Sequence, residues 1–269
     1  MYKSSYQDKR VLVNRMNDAV KLEKNENGCL LVTINRPDKR NAINDDVMNG
    51  LHNAFILAEA DDAVKLVILT GEGDAAFCSG GDLSEFHVLK TEEDSFKMLS
   101  KMGEIVYKLA TFPKPTVAFL NGSAVGGGCE LATACDFRIA REKAKFGFIQ
   151  GRQGITTGWG GASLLYEKLP YQAAIKLLLE ANVLPVVEGK QIGFIDYIVG
   201  DSASVWDSPI NELIGLETGV MLAYKQLIVK KWEQLGLKER INQEVAACAK
   251  LWETEAHLVA VESFLNKKK

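Results

Sequence analysis

Apolar residues along this chain fall into two rhythms. Short runs rich in Val, Ile and Leu alternate with longer segments whose apolar positions recur every three or four residues. Residues 29–34, 64–69 and 116–120 are of the first kind and have the length of buried strands. Shorter runs at 137–140 and 145–148 predict two more. The second rhythm predicts a helix after Asn44, which can cap it, with Val47, Leu51, Ala54, Phe55 and Ala58 on one face. A helix over 95–110 places Phe96, Leu99, Met102, Ile105, Val106 and Leu109 together, and Phe112-Pro113-Lys114-Pro115 stops it. Residues 128–135 and 162–168 read as shorter helices.

Residues 1–28 are polar and end in Lys24-Asn25-Glu26-Asn27-Gly28, a turn signal of the kind that joins two strands. Asn35-Arg36-Pro37-Asp38-Lys39 breaks the strand that follows, because proline and its predecessor resist continuation. After Leu184 the chain reads as mostly helical, most clearly over 213–229 and 241–252. Strand and helix alternate with a spacing of about forty to fifty residues, which predicts stacked ββα-like units. A boundary near residue 205 would separate an α/β core, 1–205, from a helical region, 206–269.

Composition narrows the class. The 269 residues are 47% hydrophobic and 25% charged with a formal charge of −3, an ordinary soluble composition with no basic footprint for nucleic acid or an anionic membrane. No apolar run is long enough to span a bilayer. The first residues mix Lys3, Lys9, Arg10 and Arg15 with Asp8 and Asp18 and lack an apolar core, so neither a secretory signal nor a transit peptide is expected. Five cysteines without a CxxC pair fit reduced thiols in a cytoplasmic protein, and the three scattered histidines form no zinc motif.

Two segments place glycines just after a strand and at the start of a helix: Ser79-Gly80-Gly81-Asp82 and Gly126-Gly127-Gly128-Cys129-Glu130. Helix starts carry unpaired N–H groups and partial positive charge, and glycine admits close approach. Two such N–H groups converging on one oxygen form an oxyanion hole; the other reading of each loop is tight helix–strand packing. Gly-Lys-Ser/Thr follows neither cluster, so a phosphate loop is excluded. Gly71-x-Gly73-x-x-Ala76 imitates a dinucleotide fingerprint but runs into further glycines where a helix should open, so it reads as a surface turn. Glu130, one turn into its helix among small and apolar neighbours, is either an acid satisfied by backbone amides or a general acid/base beside the oxyanion site.

The residues then resemble a known family. Asn35-Arg36-Pro37, Asn41-Ala42, Ala76-Phe77-Cys78-Ser79-Gly80-Gly81-Asp82-Leu83, Pro113-Lys114-Pro115, Asn121-Gly122, Gly126 to Leu131, Cys135-Asp136, Phe146-Gly147, Gly154 and Gly158-x-Gly160-Gly161 occur in the order and spacing of the crotonase superfamily, the enoyl-CoA hydratase/isomerase family. The resemblance covers roughly residues 20–269 and implies the α/β ClpP/crotonase-like fold of repeated ββα units with a C-terminal helical region that serves trimerisation or as a lid. It implies a homotrimer or dimer of trimers, acyl-CoA thioester substrates with coenzyme A entering only as part of the substrate, and no separate cofactor. The oxyanion donors would be the N–H groups of Ser79 and Gly127. Lys39, Arg40 and Ala42, with Gly80, Gly81, Asp82 and Leu83, would cradle the coenzyme A, the two cations beside its phosphates. Gly158 and Trp159 would line the substrate.

Family hydratases use two glutamates. Glu130 matches the first, and Gln150 stands at the second position, where it can orient water or substrate but cannot exchange a proton. Gly154-Ile155, Trp159-Gly160-Gly161 and Ala134-Cys135-Asp136-Phe137-Arg138 resemble the ethylmalonyl-CoA decarboxylase branch, and methylmalonyl-CoA decarboxylases likewise keep only the first acid. Loss of CO2 leaves an enolate that needs an oxyanion hole and a proton donor but no base to begin. Arg152 is a candidate cation for the free carboxylate, or a surface or interface arginine; His87 is a candidate polar contact, or an ordinary helix histidine. The expected activity is therefore acyl-CoA lyase chemistry through an enolate, leaning to decarboxylation of a short alkylmalonyl-CoA. Enoyl-CoA hydration is the alternative, and a non-catalytic acyl-CoA-binding or scaffold protein is the alternative of another class.

Overall fold

The computed structural model describes residues 11–206 and 209–266. The first ten residues, read above as a polar stretch without an apolar leader core, lie outside the described residues. In chain order the elements are β1 Val11–Asn17, β2 Val20–Lys24, β3 Cys29–Ile34, α1 Asp45–Ala60, β4 Leu66–Gly71, β5 Ala76–Cys78, α2 Leu83–Phe86, α3 Glu92–Ala110, β6 Thr116–Leu120, β7 Ser123–Val125 and α4 Gly127–Ala134. They continue with β8 Phe137–Arg141, β9 Lys145–Gly147, α5 Gly161–Lys168, α6 Tyr171–Glu180, β10 Leu184–Pro185, α7 Val186–Gln191, β11 Tyr197–Val199, α8 Ile210–Leu213, α9 Thr218–Gln234, α10 Leu237–Trp252 and α11 Glu255–Asn266.

The strands form a seven-stranded sheet, β1-β2-β3-β4-β6-β8-β11, and a four-stranded sheet, β10-β9-β7-β5. The large sheet opens as an antiparallel meander, β1 to β3, and is parallel from β3 onward. Its parallel strands are apolar on both faces because both faces are covered. Leu30, Val32, Ile34, Val67, Leu69, Ala118 and Leu120 face the main core, while Cys29, Leu31, Leu66, Ile68, Val117, Phe119 and Ile139 face a second cluster closed by Ile210.

The predicted helices and strands occur, with local differences. The polar opening contains β1 and β2, whose mixed composition hid them, and β2 completes the hairpin across the Lys24–Gly28 turn by pairing with β3. Asn44 caps α1 by accepting a hydrogen bond from Val47 N at 3.1 Å. Phe96 is 42% exposed rather than buried, because the buried position of that first turn is taken by Ser95, whose hydroxyl satisfies the Thr91 and Glu92 carbonyls. The stretch after Leu184 is not all helix, for β11 joins the large sheet beside β8. The helix read over 213–229 is broken at Gly215, and Glu217 caps a fresh start by accepting from Val220 N. Gly71 to Ala76 opens no helix and runs into β5, as the surface-turn reading requires.

α3 and α10 lie against each other, so close at Gly103 that a Cβ there would come within 3.1 Å of Val245. Ile241, Val245, Cys248, Ala249 and Trp252 of α10 belong to the same apolar cluster as α3 and the large sheet. All five cysteines are buried and unpaired. Among the described residues no helix is long and apolar enough to cross a membrane.

Candidate active site

β5 and β7 pair in parallel, so the glycine loops that follow them leave the same end of the small sheet and meet. Gly80 and Gly126 hold φ of +90° and +56°, a region L side chains avoid. A Cβ on Gly80 would press to 3.1 Å from Gly127 N, and one on Gly128 would overlap the Cys78 carbonyl. Gly127 opens α4, and its N–H finds no acceptor among the described residues. The Ser79 N–H does find one, donating to the Arg40 carbonyl at 3.1 Å, while the Ser79 hydroxyl donates to the Lys39 carbonyl at 3.4 Å. Of the two expected oxyanion donors, one is therefore open and the other is engaged by the 36–42 loop.

That loop is built as one piece with the first glycine segment. Arg36 pairs with Asp82 at 2.8 Å and Glu85 at 3.3 Å and donates to the Ala42 carbonyl. Buried Asn41 donates to the Glu72 and Ala76 carbonyls, and Ile43 N and Asp82 N exchange bonds with the Gly80 and Ile43 carbonyls. Arg40 and Asn41 both sit at positive φ, 50° and 55°, which these ties hold in place. Lys39 and Arg40 are exposed and in no ion pair among the described residues. Asp82 caps α2 through Ser84 N; burial would raise its pKa, but the bonds from Ser84 and Arg36 outweigh burial and hold it below the usual carboxylate range. Leu83 begins α2. His87 ends it, exposed, with Nδ1 3.0 Å from the Leu83 carbonyl.

Glu130 is 2% exposed, and its carboxylate meets the second half of the site. Oε2 accepts from Trp159 N at 2.8 Å and Gly161 N at 2.9 Å; Oε1 accepts from Gln150 Nε2 at 2.9 Å and, at 3.4 Å, from Gly158 N. Gly161 must be glycine, because a Cβ would overlap Glu130 itself. Burial, then the charge of Glu244, push the Glu130 pKa up to about 7 against the downward pull of the three N–H bonds. Burial therefore favours the protonated form of Glu130 far more than water does for an ordinary carboxylate. Gln150 is buried, and its Oε1 has no hydrogen-bond partner among the described residues.

Trp159 links the halves. Its backbone donates to Glu130, and its buried indole lies on Gly127, where a Cβ would overlap the ring, and 3.7 Å from where a Gly81 Cβ would stand. Gly158 backs onto Cys248 of α10, with 2.7 Å between a Cβ there and Sγ. Arg152 is turned elsewhere. Its guanidinium donates to the Ala181 carbonyl at 2.6 Å, the Glu180 carbonyl at 3.2 Å and Asn182 Oδ1 at 2.6 Å, closing the end of α6. Arg152 reads from the sequence either as a cation for the free carboxylate or as a surface or interface arginine, and here its guanidinium is held by the last carbonyls of α6.

Two contributors escaped the sequence reading. Asn121, read only as part of a motif, accepts from Gly71 N and Thr70 Oγ1 and donates to the Gly73 and Ala76 carbonyls, pinning the turn that precedes β5. Glu244 of α10 accepts from Thr157, Ala162 and Ser163, around the loop that holds Glu130. No local pattern marks it, since it lies 81 residues from Ser163.

The enoyl-CoA hydratase/isomerase family model matches residues 24–269. The chain is 39% identical over 179 residues to the crotonyl-CoA hydratase of Syntrophomonas wolfei, covering 66% of this chain and 68% of that one. It is 32% identical over 256 residues to the ethylmalonyl-CoA decarboxylase of Danio rerio, covering 91% and 83%. The solved enoyl-CoA hydratase of Bacillus halodurans superposes with a TM-score of 0.82 at 25% identity, covering 91% of this chain and 99% of that one. With the paired glycine loops, the buried glutamate and the sheet topology in agreement, this chain belongs to the enoyl-CoA hydratase/isomerase family of the crotonase superfamily.

Proposed function

We propose that the protein decarboxylates a short alkylmalonyl-CoA. The observation that carries this reading is the partner of Glu130: a neutral amide, Gln150, stands 2.9 Å from it where a hydratase would place its second acid. A single carboxyl group that is partly protonated at neutral pH suits delivery of one proton to an enolate. It suits two-acid addition of water less well.

In this mechanism the thioester carbonyl accepts the Gly127 N–H, and the Ser79 N–H joins once the Arg40 carbonyl gives way. The C–C bond to the carboxylate breaks, CO2 leaves, and its electron pair forms the enolate. Glu130 protonates the α-carbon, and the carboxylate so formed is received by the N–H groups of Trp159 and Gly161. In this reading the exposed Lys39 and Arg40, beside the Ser79 loop, would meet the coenzyme A phosphates. The same reading includes a homotrimer or dimer of trimers, supported by the exposed apolar side chains Leu216, Val220, Tyr224 and Leu227 on and before α9.

Incubation with methylmalonyl-, ethylmalonyl- and crotonyl-CoA under one condition, with products followed by mass, tests this directly. CO2 loss is expected to outpace hydration. Ordinary turnover of crotonyl-CoA alone overturns the proposal and favours the second reading, enoyl-CoA hydration, to which the similarity with crotonyl-CoA hydratase lends weight.

A further inference from the structure

The loop 157–163 serves two carboxylates. Its Gly158, Trp159 and Gly161 N–H groups face Glu130 of α4. Four further donors of the loop face Glu244 of α10: Oε1 accepts from Thr157 Oγ1 at 2.5 Å and Ala162 N at 3.1 Å, and Oε2 from Ser163 N at 2.8 Å and Ser163 Oγ at 2.7 Å. The residue before α5, Gly160, has no side chain with which to cap the helix, so Glu244 supplies the acceptor from another element and sets its negative charge at the positive end of α5.

We propose that Glu244 is a positioning residue of this site, holding residues 157–163 so that their N–H groups stay aimed at Glu130. The inference rests on Glu130 being the proton donor. A fixed loop presents three donors to the carboxylate, whereas a loose one would trade them for water. The charge of Glu244 has a second effect, because a neighbouring anion in a buried site favours the protonated form of Glu130. The other groups facing Glu130 are neutral: Gln150, and the buried thiols of Cys129 on α4 and Cys248 on α10, whose pKa values burial pushes up. Tyr166 of α5 is the titratable side chain that faces Glu244 from the helix it caps.

Glu244→Gln keeps an acceptor and removes the charge; Glu244→Asp keeps the charge and shortens the reach. The test follows the Glu130 carboxyl by carbon-13 NMR titration without substrate, with Glu130→Gln assigning the signal. Alongside it, pH profiles are measured with whichever thioester the enzyme turns over. In Glu244→Gln the Glu130 midpoint is expected to fall by about one pH unit, a tenfold change in proton affinity. The turnover profile should shift the same way, kcat falling about tenfold or more with KM nearly unchanged. Glu244→Asp should restore the midpoint.

A folded Glu244→Gln protein, judged by near-ultraviolet circular dichroism, with midpoint and kcat unchanged would overturn the proposal. Should that variant not fold, Thr157→Val with Ser163→Ala removes both side-chain anchors and leaves the charge. There kcat is expected to drop about fivefold or more while the Glu130 midpoint rises as the loop N–H bonds loosen, and an unchanged kcat rejects the idea. The titration needs no substrate, so a wrong reaction assignment leaves it readable and its failure separate.

Discussion

At the scale of single residues, Glu130 concentrates the energetics. Its pKa rises on folding from 4.5 to about 7, so between those values the folded protein binds more protons than the unfolded chain, and stability falls as pH rises through that window. Relative to Glu130→Gln, the parent should therefore lose stability in urea as pH rises from about 4 to about 8, while the variant loses thioester turnover. A gap independent of pH would reject the assignment. Gln150→Glu would set a second carboxyl against the first, and the pair would share a proton. Hydration of crotonyl-CoA should rise about tenfold relative to CO2 loss, and a product ratio like the parent's would count against the role given to Gln150. Gly127→Ala would drive a methyl group into the Trp159 indole and should abolish turnover with a clear loss of thermal stability.

Among elements, α1 shows how local chemistry anchors a functional loop. Asn44 caps the helix through Val47 N and also donates to Glu85, which pairs with Arg36 of the loop over Ser79. Asn44→Ala should cost about 1 kcal/mol by chemical denaturation. It should also raise KM more than it lowers kcat, because the loop read as the coenzyme A cradle loses a tie; an unchanged KM would separate the cap from the cradle. The cap, the helical stripe of α1 and the parallel strands were legible because each is set by residues within a few positions. Phe96 was misread for the same reason: spacing shows that residues share a face, not which turn of that face a neighbour covers.

For the molecule as a whole, the helices after residue 205 are part of the packing. Ile210 closes the second face of the large sheet, and Trp232, Ile241, Val245 and Trp252 lie in the main core with α3. A chain ending at residue 205 should fail to give a cooperative unfolding transition, since its sheet and α3 would present bare apolar faces to water. A sharp transition in that fragment would mark 1–205 as an autonomous domain. For the proposed trimer or hexamer, replacing exposed Leu227 and Tyr224 with glutamate should reduce the mass in light scattering toward that of a monomer with the fold intact; a mass unaffected by both would place the assembly face elsewhere.

The sequence alone determined the two glycine loops, the glutamate one turn into α4, the apolar strands and the family, because these depend on local spacing and on residue types that only certain backbone shapes admit. Tertiary structure decided the rest. The engagement of Ser79 by the Arg40 carbonyl, the turning of Arg152 to the end of α6, the indole of Trp159 against Gly127 and the hold of Glu244 on the 157–163 loop all join residues far apart in the chain. No periodicity encodes such meetings, since they arise only when helices and strands are packed into one core.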